Sequence, residues 1–305
     1  MILAFDTSNY TTSAATLDNG VIENSKIMLE VKQGERGLRQ SEALFQHTVN
    51  LPCVLKKLNV KGIEAVGVSD KPRNAQGSYM PCFLAGVSAA EAAAIAAGVP
   101  VFKTSHQIGH ILASLYSCNR LDLINQEFFV FHLSGGTTEG LLVCPDENDV
   151  IKCSVISQSL DLKAGQAVDR TGVMLGMKFP CGKELDELSK HSTKEFRTKP
   201  TIIDTNCSLS GVENKAQKML SDGEAKEDIA KFVLSYISFS VCAMLEEMIK
   251  ICGNKPVVFS GGVSSNSLLR EIINKRYEAY FAEPEFSLDN AAGIAVYAAI
   301  KSKLL

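Results

Sequence analysis

Two histidines four residues apart, His106 and His110 in Ser105-His106-Gln107-Ile108-Gly109-His110, are the residues of this chain best placed to do chemistry. The surrounding residues 104–115 carry the apolar spacing of an amphipathic helix, on which positions four apart leave the same face. Neutral imidazole ligates zinc, iron, copper and nickel, so the pair can supply two ligands and leave positions for a carboxylate and a substrate. A histidine on a part-buried face is also commonly a hydrogen-bonded packing residue, so the pair alone leaves both roles open. With only five histidines in 305 residues, the spacing is less casual. Asp289, just ahead of a terminal helix read from Asn290 onward, suits either a helix N-cap or the hard carboxylate that completes a two-histidine, one-aspartate site across a cleft.

The elements that would position these residues follow from apolar pattern and turn chemistry. Residues 2–5 form an apolar run, 6–10 a polar turn, 11–17 a strand, Asp18-Asn19-Gly20 a tight turn and 21–28 a third strand. The order returns from Glu127: strand 128–133, the turn Ser134-Gly135-Gly136, strand 137–143, turn 145–149 and strand 150–157. At a shift of 126, Phe5 falls on Phe131, Ser8 on Ser134 and Thr11-Thr12 on Thr137-Thr138. Helical patterns follow each β unit. The first half has 41–58 and 82–97 around a strand at 65–69; the second has 165–175, 183–190 and 227–252, then a strand at 257–260 and a helix from Leu268. Two such halves imply an α/β, actin-like (ASKHA) duplicated fold with domains at 1–120 and 121–305. A ligand cleft lies between them, and the last helix is able to return to the first domain.

Several turns carry groups that bind nucleotides. Ser8 in the first turn and Ser134, Gly135 and Gly136 in the second offer hydroxyls and backbone N–H groups for phosphate oxygens, although such residues also simply make turns. Strand 257–260, Gly261-Gly262 and the following helix make a phosphate or ribose cradle that includes Asn266. Asp169 can accept from a ribose or substrate hydroxyl, or be a solvated charge beside Arg170. Phe179-Pro180-Cys181-Gly182 is a break where backbone approaches a ligand closely.

Composition narrows the class. The chain is 46% hydrophobic and 21% charged with net charge −3, an ordinary globular balance with no global attraction to nucleic acid or anionic membrane. Any RNA contact is local. Nine scattered cysteines without a C-x-x-C pair favour reduced thiols in a cytoplasmic setting, and no basic leader or long apolar run argues for export or membrane insertion.

Taken in order, Phe5-Asp6-Thr7-Ser8, Ser105 to His110, Leu133-Ser134-Gly135-Gly136-x-Thr138, Ala164-Gly165-x-Ala167-x-Asp169, Phe179-Pro180-x-Gly182, Gly261-Gly262-Val263-Ser264-x-Asn266 and Asp289-Asn290-Ala291-Ala292 resemble the TsaD family. These are transferases of tRNA threonylcarbamoyladenosine synthesis, formerly labelled glycoproteases or M22 peptidases. The resemblance implies one transition-metal ion, iron or zinc, on His106, His110 and Asp289. It implies contacts to an adenine nucleotide or threonylcarbamoyl-adenylate from His132, Leu133, Ser134, Gly135, Gly136, Asp169, Gly182 and Asn266. It also implies tRNA as acceptor and TsaB-like and TsaE-like partner proteins. Three departures mark a divergent paralogue. The family's Glu-Thr-Ser-Cys-Asp-(Asp/Glu)-Thr is here Asp6-Thr7-Ser8-Asn9-Tyr10-Thr11-Thr12; its histidine or asparagine after Ser-Gly-Gly is Thr137; its Gly-Pro-Gly turn is Ser69-Asp70-Lys71-Pro72-Arg73-Asn74.

The leading expectation is therefore metal-dependent transfer of a threonylcarbamoyl group to a tRNA adenosine. An actin-like small-molecule kinase or ATPase is one rival, but it would use Mg²⁺ and has no role for two histidines. A nucleotide-binding scaffold of the TsaB type is another, and it would lack the ligand set. Peptidase chemistry has little support, because His106-Gln107-Ile108-Gly109-His110 lacks the glutamate base of H-E-x-x-H.

Overall fold

The computed structural model describes residues 1–8, 10–31 and 37–305; Asn9, which falls in the first polar turn, lies outside the described residues. Along the chain run β1 (Ile2–Asp6), β2 (Thr11–Asp18), β3 (Val21–Met28), α1 (Gln40–Leu55), β4 (Ala65–Lys71), α2 (Phe83–Ala97), β5 (Val101–Ser105) and α3 (His106–Ser117). Then follow β6 (Phe128–Leu133), β7 (Thr138–Asp146), β8 (Val150–Gln158), α4 (Ala164–Met174), α5 (Gly182–Ser189), β9 (Thr201–Ile203), β10 (Asn206–Ser208), α6 (Ser210–Ser221) and α7 (Lys226–Cys252). The chain closes with β11 (Val257–Ser260), α8 (Ser267–Asn274), β12 (Ala279–Phe281), α9 (Pro284–Ser287) and α10 (Ala292–Lys301).

These elements form two compact units. The first gathers Met1–Ile124, Pro145–Lys152 and Glu285–Leu305; the second gathers Asn125–Cys144 and Cys153–Pro284. The division is thus discontinuous in sequence rather than a single cut near residue 120, and Asp289 belongs to the same unit as the two histidines rather than facing them across a cleft.

Each unit is built on a five-stranded sheet of the same plan. The first has the order β3-β2-β1-β4-β5, and the second β12-β11-β6-β7-β8. In each, a meander of antiparallel strands is extended by parallel strands on the far side of the central one. The repeat holds to the residue: Ile2 opposes Leu17 and Asp6 opposes Ser13, while 126 positions on Phe128 opposes Val143 and His132 opposes Glu139. In the first unit one sheet face buries Leu3, Phe5, Val66 and Val68 against Leu51 and Val54 of α1 and Ala85, Ala90 and Ala94 of α2. In the second, Phe129, Phe131, Leu133 and Phe259 meet the apolar face of α7, including Ile229, Val233, Ile237, Val241 and Met248. By length and hydropathy α7 could cross a membrane, but 72% of its apolar window is buried in this core.

The C-terminal helix joins the first unit because small residues let it. A Cβ on Gly293 would stand 1.8 Å from the Gly109 carbonyl oxygen of α3, one on Gly109 would stand 2.5 Å from Ile294 Cδ1, and one on Gly67 of β4 would stand 2.7 Å from the Ile294 carbonyl oxygen. Residues 292 and 294–296 of α10 are fully buried. Backbone-to-backbone contact of this kind admits only glycine.

Local readings shift in two places. Residues 104 and 105 end a strand rather than open a helix: β5 stops at Ser105, whose side chain accepts from Ile108 N–H at 3.3 Å, so α3 starts at His106. At the other end α10 begins at Ala292, and it is Asn290 whose Oδ1 accepts from the Ala292 N–H at 2.9 Å, so Asp289 is not taken up as a cap. The short strands β5, β9, β10 and β12 and helix α6 are additions to the sequence reading.

Gly293→Ala should lower unfolding stability by at least ~2 kcal/mol in urea titration, since the new methyl meets fixed backbone. Gly211→Ala, in α6 with nothing within 4 Å of its Cβ position, should be neutral or stabilising by up to about 1 kcal/mol. Equal effects would remove the close crossing as a constraint on the fold.

Candidate metal centre

The candidate metal centre lies in the first unit, where the β5–α3 junction, the end of β1 and the segment before α10 bring together His106, His110 and Asp289. Standing four apart on α3, His106 and His110 meet edge to face with ring centroids 4.3 Å apart. Their Nε2 atoms are 2.9 Å apart, and Asp289 Oδ1 lies 3.1 Å from Nε2 of His110 and 3.6 Å from Nε2 of His106. All three donors converge within 4.8 Å of one another. Metal–ligand bonds of about 2.0–2.2 Å put neighbouring ligand atoms roughly 3 Å apart, so these separations fit one coordination sphere. Two imidazoles and one carboxylate form a mixed nitrogen–oxygen set that suits iron or zinc better than Mg²⁺.

What orients the set is Asp6, which the sequence reading passed over as part of a phosphate turn. It ends β1, is 2% exposed, and its Oδ2 lies 2.6 Å from His106 Nδ1. Its Oδ1 accepts from the Ser69 hydroxyl at 2.8 Å and from the Ser8 N–H at 3.1 Å. A carboxylate accepts from Nδ1–H, so in the neutral ring Nδ1 of His106 carries the proton and Nε2 presents its lone pair toward His110 and Asp289. The second oxygen of Asp289 accepts from the Thr11 hydroxyl at 3.4 Å. In the protein without metal, burial pushes the His106 pKa down, but the charge and hydrogen bond of Asp6 and the charge of Asp289 outweigh it and raise the pKa to about 8. Ser8 is fully buried beside Asp6, and its hydroxyl has no hydrogen-bond partner among the described residues.

The remaining expected residues sit in the second unit, at the loops after β6 and β11. His132 and Leu133 end β6; the Leu133 side chain is in the core, so only its backbone faces the turn. Ser134 closes that turn, donating its N–H to the Thr137 carbonyl at 2.8 Å and accepting from the Thr137 N–H at 3.0 Å. Cβ positions on Gly135 and Gly136 meet nothing within 4 Å, so this backbone is open to close approach. Against the turn press Gly165 of α4, where a Cβ would be 2.5 Å from Gly135 N, and Gly261, at φ +89° with its Cβ position 2.3 Å from the Leu133 carbonyl oxygen. Asp169 accepts from the Cys181 N–H at 2.8 Å and so fixes the break that leads to Gly182. Asn266 caps α8 by accepting from Leu269 N–H at 2.9 Å and donates to Asp186 Oδ1 at 2.7 Å. Asp186, not singled out from the sequence, also accepts from the Ser267 hydroxyl at 2.9 Å, so Gly182, Asp186 and Asn266 belong to one linked group.

The orientation of His106 gives a direct test. In Asp6→Asn the amide oxygen keeps the Ser69 and Ser8 donors, which turns the NH₂ toward His106 Nδ1 and drives the imidazole proton onto Nε2, where it blocks ligation. Zn²⁺ affinity by chelator competition should fall by about 10- to 100-fold with the unfolding midpoint nearly unchanged. Affinity within threefold of wild type would show that Asp6 does not set the tautomer.

Comparison with known proteins agrees with this geometry. A family model described as TsaD: tRNA N6-adenosine threonylcarbamoyltransferase matches residues 28–296. Proteins of that name from Ligilactobacillus salivarius and Thermosipho africanus are 31% and 29% identical, covering 99% and 97% of this chain and 92% of each relative. Among solved structures, HypF from T. kodakarensis superposes with a TM-score of 0.62 at 12% identity, covering 99% of this chain and 47% of that one. The activator of 2-hydroxyisocaproyl-CoA dehydratase from Clostridium difficile superposes with a TM-score of 0.54 at 16% identity, covering 99% and 96%. At such identities these two speak for the fold alone, which is actin-like α/β. The match across most of the length settles the affiliation: the chain belongs to the TsaD family of tRNA N6-adenosine threonylcarbamoyltransferases.

Proposed function

We propose that this protein transfers a threonylcarbamoyl group from threonylcarbamoyl-adenylate to an adenosine of tRNA, with one iron or zinc ion held by His106, His110 and Asp289. The observation that carries the reading is the convergence of three lone-pair donors, with His106 oriented by Asp6, in a chain of this family. When bound, the ion supplies Lewis acidity toward carbamoyl and phosphate oxygens. The protein's own residues do the rest. Asp6 holds the proton on His106 Nδ1, and Thr11 steadies Asp289 at a position where the family carries an acid. In the second unit the open backbone of Gly135 and Gly136 supports phosphate binding, and the Asp186–Asn266 pair supports recognition of ribose hydroxyls. The nine cysteines are all free thiols, in keeping with a reducing cytoplasm where tRNA and TsaB-like and TsaE-like partner proteins would be met.

Protein purified without chelators under anaerobic conditions should contain about one iron or zinc ion per chain. His106→Ala, His110→Ala and Asp289→Ala should each lose that ion and abolish modified-nucleoside formation on tRNA, while far-UV circular dichroism and adenine-nucleotide binding are kept. A wild type with no metal and no response to added zinc or iron would overturn the metal-dependent reading and leave the scaffold or kinase in its place. Because the net charge is −3, binding of tRNA should rest on local basic groups and weaken steeply with salt. A flat salt response would point to a small-molecule acceptor.

A further inference from the structure

Internal duplication repeats, in the second unit, the position that orients the metal ligand in the first. Asp6 opposes Ser13 across β1 and β2, and 126 residues later His132 opposes Glu139 across β6 and β7. On the other flank β1 runs parallel to β4 with Phe5 beside Val68, which brings Asp6 beside Ser69; β6 runs parallel to β11 with His132 beside Ser260. His132 is therefore the counterpart of Asp6.

Side-chain direction follows from the cores. Phe129, Phe131, Leu133, Val257 and Phe259 face α7, so alternation turns His132 and Ser260 to the opposite face, and Glu139, directly across the ladder from His132, shares it. Ser260, His132 and Glu139 thus form a polar row over three neighbouring strands, at the carboxyl ends of β11 and β6, where open α/β sheets place their ligands. Ser260 is 2% exposed and its hydroxyl has no hydrogen-bond partner, whereas its counterpart Ser69 donates to Asp6. His132 and Glu139 are both partly exposed. An accessible imidazole with a carboxylate across the ladder, two residues before an open glycine turn, is arranged to move a proton.

We propose that His132 is the general base of the transfer reaction, with Glu139, directly across the ladder, as the carboxylate that positions its ring; this rests on the transferase reading above. In the step, the exocyclic amine nitrogen of the adenosine bonds to the carbamoyl carbon. The bond from that carbon to the adenylate phosphate oxygen breaks, its electron pair leaves on that oxygen, and the amine proton passes to the His132 imidazole.

Single-turnover transfer with the full chain, its partner proteins, preformed threonylcarbamoyl-adenylate and tRNA tests the assignment. His132→Gln and His132→Ala should slow transfer by about 10²- to 10⁴-fold, with metal content within threefold of wild type. Glu139→Gln should slow it about tenfold, and the conservative Glu139→Asp should recover part of that loss. Added imidazoles should restore His132→Ala in order of their basicity, which a merely structural histidine would not allow. Where His132→Ala fails to fold by circular dichroism, the near-isosteric His132→Gln carries the test through its rate and pH profile. An active wild type beside a His132→Gln variant of equal rate and unchanged pH profile overturns the base assignment alone. A wild type that transfers nothing to tRNA overturns the transferase reading, and the base role falls with it.

Discussion

The crossing of α3 and α10 is the contact on which the metal centre depends. Gly109 and Gly293 meet with no space for a side chain between them, and Ile294 fills the groove over Gly109 and Gly67. Asp289 stands three residues before α10, so its reach to His110 is set by touching main chains rather than by a flexible side chain. Donor positions fixed in this way need little reorganisation when a ligand arrives, which is what a preformed site requires.

Charge at the site is balanced in a similarly economical way. Asp6 is buried, yet it meets three donors, the Ser69 hydroxyl, the Ser8 N–H and His106 Nδ1–H, so its oxygens are satisfied where an unpaired carboxylate would be costly. Asp6 and Asp289 would together offset the charge of a divalent ion, and Thr11 contacts Asp289 without adding a further negative charge.

How much of this was legible in the sequence depends on the distance over which each interaction acts. The histidine pair is visible because spacing of four on a helix is local, and the duplicated β units are visible because turn residues and alternation repeat at a fixed shift down to the register. Asp6 and Asp186 were hidden. Each reads locally as a turn or surface carboxylate; Asp6 gains its role from a partner 100 residues away and Asp186 from one 80 residues away. Strands β9, β10 and β12 have three residues each, too few for a period to declare itself. β5 was missed because the polar Thr104 and Ser105 at its end blend into the helix that follows. For Asn266 the sequence showed a turn residue before a helix; the hydrogen bond its side-chain amide donates to Asp186 required the packing of α5 against that turn.

The return of the C-terminal segment to the first unit also fixes when the site can exist during synthesis. A ribosome completes β1 to α3, with both histidines, long before it reaches residue 289, and the nascent unit then lacks both the carboxylate and the helix that buries one face of its sheet. The two-histidine fragment offers an incomplete grip on any ion it meets. The three donors are therefore complete only after translation has passed α10, and the newly made N-terminal segment must be kept from aggregation through its uncovered sheet face until then.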